Sequence, residues 1–258
     1  MSISAIIITK NEARNIARCL RSLSFTDEQI VVDSFSRDRT IQLANDLGAL
    51  VFSKAWSGYG PQKNYGREQA GDDWVLSIDA DEEVTPKLRK EIIAAAGHGN
   101  KNFYWLRIVT IFLGHPLKHL YGHNMRLFRK DSGQWTNSCV HEQVINKQGQ
   151  LIKLHDRNSA VLKSPLLHHS HTTINSYLKK MHRYTTLDAQ QMHKTGRHRS
   201  GRPVQPAFYL PYYLCLRQFI KLYFYRRGLL DGYAGFIWCV LSAYYEYEMA
   251  KKYLKLCA

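Results

Sequence analysis

Apolar and polar positions alternate along the first 97 residues in short blocks of two kinds. Ile3 to Ile8, Gln29-Ile-Val-Val-Asp33, Ala49 to Phe52 and Trp74 to Asp79 are brief apolar runs of β-branched and aromatic character, the pattern of buried strands. Between the first two, Ala13, Ile16, Ala17 and Leu20 recur at i, i+3, i+4 and i+7 and predict a helix. Cap-type residues in Ser34-Phe-Ser36-Arg-Asp38-Arg-Thr40 open a second helix that stops at Gly48, and a weaker helical pattern covers Pro61 to Ala70. Thr85-Pro86 supplies an N-cap and a first-turn proline for a helix through Ala96, with Gly97 at its end. Four strands alternating with three helices predict a right-handed parallel α/β sheet.

Beyond residue 97 the pattern is less regular. Phe103 to Leu113 and Met125 to Phe128 read as strands, and Asn137 to Ile145 alternates enough to be another. Leu166-Leu-His168-His169-Ser-His171 ends a further apolar run, and Thr172 or Thr173 caps a helix from about Ile174 to Lys194. Gly196-Arg-His-Arg-Ser-Gly-Arg-Pro203 is polar, basic and Gly-containing, and reads as a hinge. After it come two helices, roughly 207–227 and 233–254, joined by Gly228-Leu-Leu-Asp-Gly232. The expected organisation is therefore a ligand-binding half over 1–97, a second half of the same domain over 98–195, a hinge at 196–203 and a helical hairpin over 204–258.

Charge divides along the same line. Residues 1–90 hold 12 Lys+Arg and 13 Asp+Glu, while the remainder holds 24 and 8, so the whole net charge of +15 belongs to the later part. Such asymmetry implies an anionic partner there: nucleic acid, an anionic membrane or a phosphorylated acceptor. No helix-turn-helix, zinc-finger or RNA-binding signature accompanies it, which argues against nucleic acid. In the hairpin, Tyr and Phe interleave with Arg217, Lys221, Arg226, Arg227, Lys251, Lys252 and Lys255. That suits a membrane interface, where rings sit at headgroup depth and cations meet anionic lipid; the alternative is a hairpin packing its aromatics on the preceding domain. The apolar stretches Phe208 to Leu216 and Tyr233 to Tyr245 are shorter than the roughly 20 residues of a membrane span. Five cysteines, odd in number and without Cys-X-X-Cys, together with a first strand lacking a basic leader, point to a reduced, cytoplasmic chain without a signal peptide.

The candidate chemistry lies where the fourth strand ends in Asp79-Ala-Asp81-Glu82-Glu83. Carboxyl ends of strands are where open α/β sheets bind ligands. An Asp-X-Asp there suits a hard divalent cation, Mg²⁺ or Mn²⁺, bound to a nucleotide diphosphate. Neither Gly-X-Gly-X-X-Gly nor a Gly-X-X-X-X-Gly-Lys phosphate loop is present.

Thr9-Lys10-Asn11-Glu12, Val31-Val-Asp33-Ser34 with Asp38 and Thr40, Gln62-Lys63-Asn64, and Asp72-Asp73-Trp74 leading into Asp79-Ala80-Asp81-Glu82 resemble, in order and spacing, the family 2 glycosyltransferases of GT-A fold. The resemblance covers essentially the first 145 residues. With Val140-His141-Glu142 and the arrangement of the carboxyl third, it is greatest to the lipooligosaccharide inner-core glucosyltransferases of Gram-negative bacteria. It implies an α/β fold with a Rossmann-like, mainly parallel sheet and a helical appendage, and an inverting hexose transfer from a nucleotide sugar, UDP-glucose first, to a heptose of the anionic lipid A inner core. The enzyme would lie peripherally on the cytoplasmic face of the inner membrane; another glycolipid or capsule precursor is the alternative acceptor.

In that scheme Asp81 holds the metal, Asp79 reaches the ribose or the metal through water, and Thr9, Asn11, Glu12 and Asp33 line the nucleoside pocket. Glu142 is the expected general base, with Glu82, Glu83 and Asp131 as alternatives; burial in an alternating strand would raise its proton affinity. His168 completes the metal site or meets the diphosphate, though His169 and His171 lie beside it. Lys63, Arg126 and His141 are the candidates for phosphate or acceptor contact.

Overall fold

The computed structural model describes residues 2–137, 142–171 and 173–257, apart from the side chains of Ser170, His171 and Ser176. The first elements follow the expected alternation: β1 (Ile3–Thr9), α1 (Ile16–Ser22), β2 (Glu28–Asp33), α2 (Thr40–Asp46), β3 (Leu50–Ser53), α3 (Tyr59–Gln69) and β4 (Trp74–Asp79). Next come β5 (Glu82–Val84), α4 (Pro86–His98), β6 (Phe103–Phe112), β7 (His115–Pro116), β8 (Gly122–Arg129), β9 (Gly133–Trp135), β10 (Val144–Asn146) and β11 (Ser159–His171). The chain closes with α5 (Ile174–Thr195), α6 (Leu210–Ile220), a π-helical turn Lys221–Tyr225, a 3-10 turn Gly228–Asp231 and α7 (Gly232–Cys257). Thr85 caps α4 as expected, its hydroxyl accepting from the Leu88 amide at 3.2 Å, with Pro86 opening the helix.

The main sheet runs β3-β2-β1-β4-β8-β6-β11-β5, with β7 beside β6. It is parallel through β3, β2, β1 and β4, and antiparallel where β8 meets β4 and β6 and where β5 meets β11. The sheet is therefore mixed rather than mainly parallel. Antiparallel neighbours need no helical crossover, so the helical periodicity that marks the first half disappears where they begin.

Chain division differs from the expected one as well. The compact units are Met1–Val109 with Gly122–His169, and Thr110–Tyr121 with Ser170–Ala258. The first unit contains the sheet core. Alternation along β1 sends Ala5 and Ile7 to one face, with Trp74, Leu76 and Ile78 of β4, beneath α1 and α4. Ile6 and Ile8 join Val75, Phe128 and Trp135 on the other. With both faces covered, every residue of β1 is buried. α3 approaches this second face so closely that a Cβ on Gly66 would lie 2.4 Å from Ile6 Cγ2.

The second unit is built on α5, α6 and α7. Met192, Leu210, Leu214, Met249 and Tyr253 form one cluster, and Phe112, Leu117, Tyr177, Met181 and Leu241 another. Residues 196–203 are not a free hinge in it. Arg197 and Pro203 form a β-bridge, and His198 is buried with its Nε2 2.8 Å from the Glu246 carboxylate. The single helix expected over 207–227 is α6 followed by the π turn, and Arg227 ends it at φ +56°. The expected strand from Asn137 is limited to Val144–Asn146, and Glu142 lies in irregular chain before it; Ser138 to His141 fall outside the described residues.

Candidate active site

Strand register brings three of the expected residues to one edge. Thr9 pairs with Asp33 and Ile8 with Asp79, so the carboxyl ends of β1, β2 and β4 converge. Asp33 is fully buried and accepts from the Ser36 amide and hydroxyl at 2.7 and 2.5 Å. Asn11, at φ +56°, donates its amide to Ser36 Oγ at 2.7 Å and accepts the Arg37 amide on Oδ1 at 2.8 Å. The Glu12 amide donates to Thr40 Oγ1 at 2.8 Å, and its carboxylate accepts from Asn15 at 2.7 Å. Polar residues after β1 and β2 thus lace the two loops together. Thr9 Oγ1 and Gln62 Oε1 are buried at this edge without a hydrogen-bond partner among the described residues, while the Gln62 amide donates to Ser34 Oγ at 2.8 Å.

A chain of alternating charges follows at the end of β4. Arg126 of β8, only 4% exposed, reaches Asp79 at 2.7 Å and Glu82 at 2.5 Å. Lys63 of α3 lies 3.5 Å from Asp79 and donates to Glu142 at 2.7 Å. Burial alone would raise the Asp79 carboxyl, but Arg126 and Lys63 outweigh it and hold it well below its ordinary range. Burial pushes Glu82 up to about 6 even with Arg126 beside it. Burial also works against the Arg126 charge, and Asp79 and Glu82 more than offset it, raising the guanidinium above its ordinary value.

Of the alternative bases, Glu82 is committed to Arg126 and to the Asp79 amide at 2.9 Å. Glu83 pairs with His169 at 2.9 Å. Asp131 follows Arg129, which is in register with Trp74 at the opposite end of β4, roughly 17 Å along the strand from Asp79 at the usual rise per residue. Glu142 differs: its side chain is 16% exposed, and Lys63 is its cationic neighbour. That contact replaces the apolar strand expected to surround it. A Cβ on Gly60 would lie 1.9 Å from the Thr136 carbonyl oxygen and 3.5 Å from Glu142 Cβ, so a glycine in the first turn of α3 admits the Glu142 segment.

Asp81 meets His168, Oδ2 to Nε2 at 3.2 Å. The pairing of β5 with β11 puts His168 opposite Glu82, and the His169 amide donates to the Asp81 carbonyl at 2.8 Å. Burial pulls the His168 imidazole down, but Asp81, Glu82 and Asp79 outweigh it and hold it above its ordinary value. Among the described residues no group of three or more His, Cys, Asp or Glu side chains forms a cage for a metal. The Asp81–His168 pair nevertheless suits a hard cation: adjacent ligands at about 2.1 Å in an octahedron are about 3 Å apart, and Mg²⁺-type ions keep their other positions for water and phosphate oxygens.

Sequence reasoning did not assign Glu82 and Arg126 to one buried pair. The available signal was a charged residue at 126 inside the apolar run Met125 to Phe128. His141 lies outside the described residues, and the His171 side chain is not described.

The model for glycosyl transferase family 2 matches residues 4–166, from β1 to the middle of β11. The chain belongs to that family. It is similar to an uncharacterized glycosyltransferase of Rickettsia typhi, 32% identical over 98% of this chain and 87% of the relative. It is also similar to the lipopolysaccharide core biosynthesis glycosyltransferase LpsC of Rhizobium meliloti, 29% identical over 98% of this chain and 92% of the relative. Among solved structures, residues 1–349 of S. aureus TarS share its fold with a TM-score of 0.50 at 16% identity, covering 96% of this chain and 91% of that one. This family 2 glycosyltransferase thus has the GT-A fold, with its acid cluster at the carboxyl end of β4.

Proposed function

We propose that this glycosyltransferase moves a hexose, glucose from UDP-glucose, onto a heptose of a lipopolysaccharide or lipooligosaccharide inner core, with inversion at the anomeric carbon. The acceptor is an anionic glycolipid at the cytoplasmic face of the inner membrane. The observation that carries this reading is the similarity to a lipopolysaccharide core glycosyltransferase along 98% of the chain, which includes the second unit as well as the family domain. The basic excess after residue 90 agrees with a phosphorylated acceptor.

The geometry supports a division of labour. Thr9 and Gln62 offer buried acceptors at the edge where Asp33 and the laced loops would enclose a nucleoside. Unmet buried polar atoms are worth about 1–3 kcal/mol each, which a polar ligand recovers. Asp79, held as a carboxylate by Arg126 and Lys63, would accept from the ribose. Asp81 and His168 would hold a divalent cation, which when bound supplies charge to neutralise the departing diphosphate. Glu142 would take the acceptor hydroxyl proton as that oxygen bonds to the anomeric carbon and the bond to the diphosphate breaks. Lys63 orients Glu142, and its charge faces the same site.

The test is a panel of nucleotide sugars, each with Mg²⁺ or Mn²⁺, and a truncated heptose-containing lipid acceptor, with transfer read by mass spectrometry. One hexose added from UDP-glucose only with metal is the expected result. Transfer to a heptose-free glycolipid instead would overturn the acceptor assignment, and absence of nucleotide-sugar binding would overturn the donor site.

A further inference from the structure

The second unit carries an apolar surface that its own packing leaves open. Tyr209, Tyr213, Leu216, Ile220 and Phe224 recur every three or four residues along α6 and the π turn, and all are exposed. Tyr233, Phe236, Val240 and Tyr244 do the same along α7. Such spacing puts each set on one helix face, while Leu214, Met249 and Tyr253 point into the core from the other. Ring contacts join the two helical segments. Phe236 meets Tyr223 at 5.9 Å and Phe219 at 6.3 Å, and Tyr212 meets Tyr247 at 5.6 Å, so the helices run antiparallel with their open faces side by side. Nine aromatic side chains between Phe208 and Tyr244 are 42–86% exposed. Six of them lie on the two stripes and present roughly 600 Å² of ring surface, the upper end of what a soluble monomer ordinarily leaves in one patch.

Charge says what covers it. Residues 204–258 hold seven Lys+Arg and three Asp+Glu. Two of the acids are used internally: Asp231 is buried against His119 at 2.9 Å, and Glu246 is buried against His198 and Arg199 at 2.8 and 2.6 Å. Glu248 alone remains to balance the outward cations. Lys221 opens the π turn and Arg226 and Arg227 follow it, all three exposed, and Arg217 and Lys251 lie over the rings of Tyr213 and Tyr247 at 6.0 and 5.9 Å. Rings facing outward with cations laid along them match the interfacial layer of a bilayer, where aromatic edges and Lys/Arg stems share the headgroup region. A second copy of this chain would bring the same positive charge against itself. No helix among the described residues is long and apolar enough to cross a membrane.

We propose that the open face of α6 and α7 docks on the surface of an anionic phospholipid bilayer. The surface stands independently of the donor and acceptor reading, because its test reads binding and not transfer. Full-chain protein is floated with vesicles of phosphatidylcholine alone or mixed with phosphatidylglycerol. It is expected to bind the mixed vesicles only, and less as salt rises. The combined Tyr213→Ser, Phe224→Ser and Tyr233→Ser variant, altering stripe side chains at least 53% exposed, should bind at least tenfold more weakly with an unchanged melting curve. Lys221→Ala with Arg227→Ala should weaken binding roughly tenfold or more, and serves if the aromatic variant folds poorly. Equal binding to both vesicle types, or full binding by the folded variants, would overturn the proposal. So would a concentration-dependent dimer that the aromatic variant abolishes, since a second copy would then occupy this face.

Discussion

Lys63 Nζ lies 2.7 Å from the Glu142 carboxylate although 79 residues separate them, and the same nitrogen is 3.5 Å from Asp79. One buried cation therefore joins the carboxylate at the end of β4 to a carboxylate on an irregular segment of the chain. If Glu142 is the base and Lys63 its positioning partner, Glu142→Gln should lower transfer about 100-fold or more while donor affinity stays near the parent value. Initial rates and calorimetric titration of the donor separate the two effects; loss of donor affinity instead would move Glu142 into the nucleotide pocket.

Asp81→Ala should leave the fold intact, because the main-chain carbonyl of residue 81 still accepts from His169. Metal-dependent affinity for UDP should fall at least tenfold. A folded variant with unchanged UDP affinity in Mn²⁺ would remove Asp81 from the metal site.

Arg126→Met should destabilise the protein by about 3–5 kcal/mol, because it leaves the buried Glu82 carboxylate facing Asp79 without its cation. Urea unfolding followed by circular dichroism reads this directly. A loss under about 1 kcal/mol would show that the two carboxylates find other partners.

Stability should also fall in acid through Glu246. Burial raises its carboxyl, but His198 and Arg199 outweigh this and hold it below its ordinary 4.5. The unfolded chain therefore takes up the proton first as pH falls, so the stabilisation is complete above about 4.5 and is lost as pH drops through the lower folded value. Urea midpoints at pH 7, 5 and 4 in the parent and in Glu246→Gln test this: the parent should show the steeper fall, and parallel curves would contradict it.

Gly66→Ala should cost about 1–3 kcal/mol by overpacking, since the new Cβ would stand 2.4 Å from Ile6 Cγ2. An unchanged melting temperature would show that α3 can lift from the sheet.

The order of β1, α1, β2, α2, β3, α3 and β4 was legible because each is a local pattern. β-branched runs such as Ile6 to Ile8 and Val31 to Val32 can be buried on both sheet faces, and Ile16 and Leu20 mark one face of a helix by spacing alone. Thr85-Pro86 likewise announces its cap within four residues. The acids at the end of β4 were visible for the same reason, as a run that ends abruptly in charge.

What only the tertiary structure decided concerns partners far apart in the chain. Whether Arg126 meets phosphate or Asp79 and Glu82, whether His168 or His169 faces Asp81, and whether residues 196–203 are loose or tied to Glu246 depend on strand register and on packing between distant segments. Charge pairing acts through space, and a linear pattern contains no distances. Local periodicity determined the elements of this glycosyltransferase; the closing of β8, β11 and the Glu142 segment around β4 decided which of its charged residues stand together.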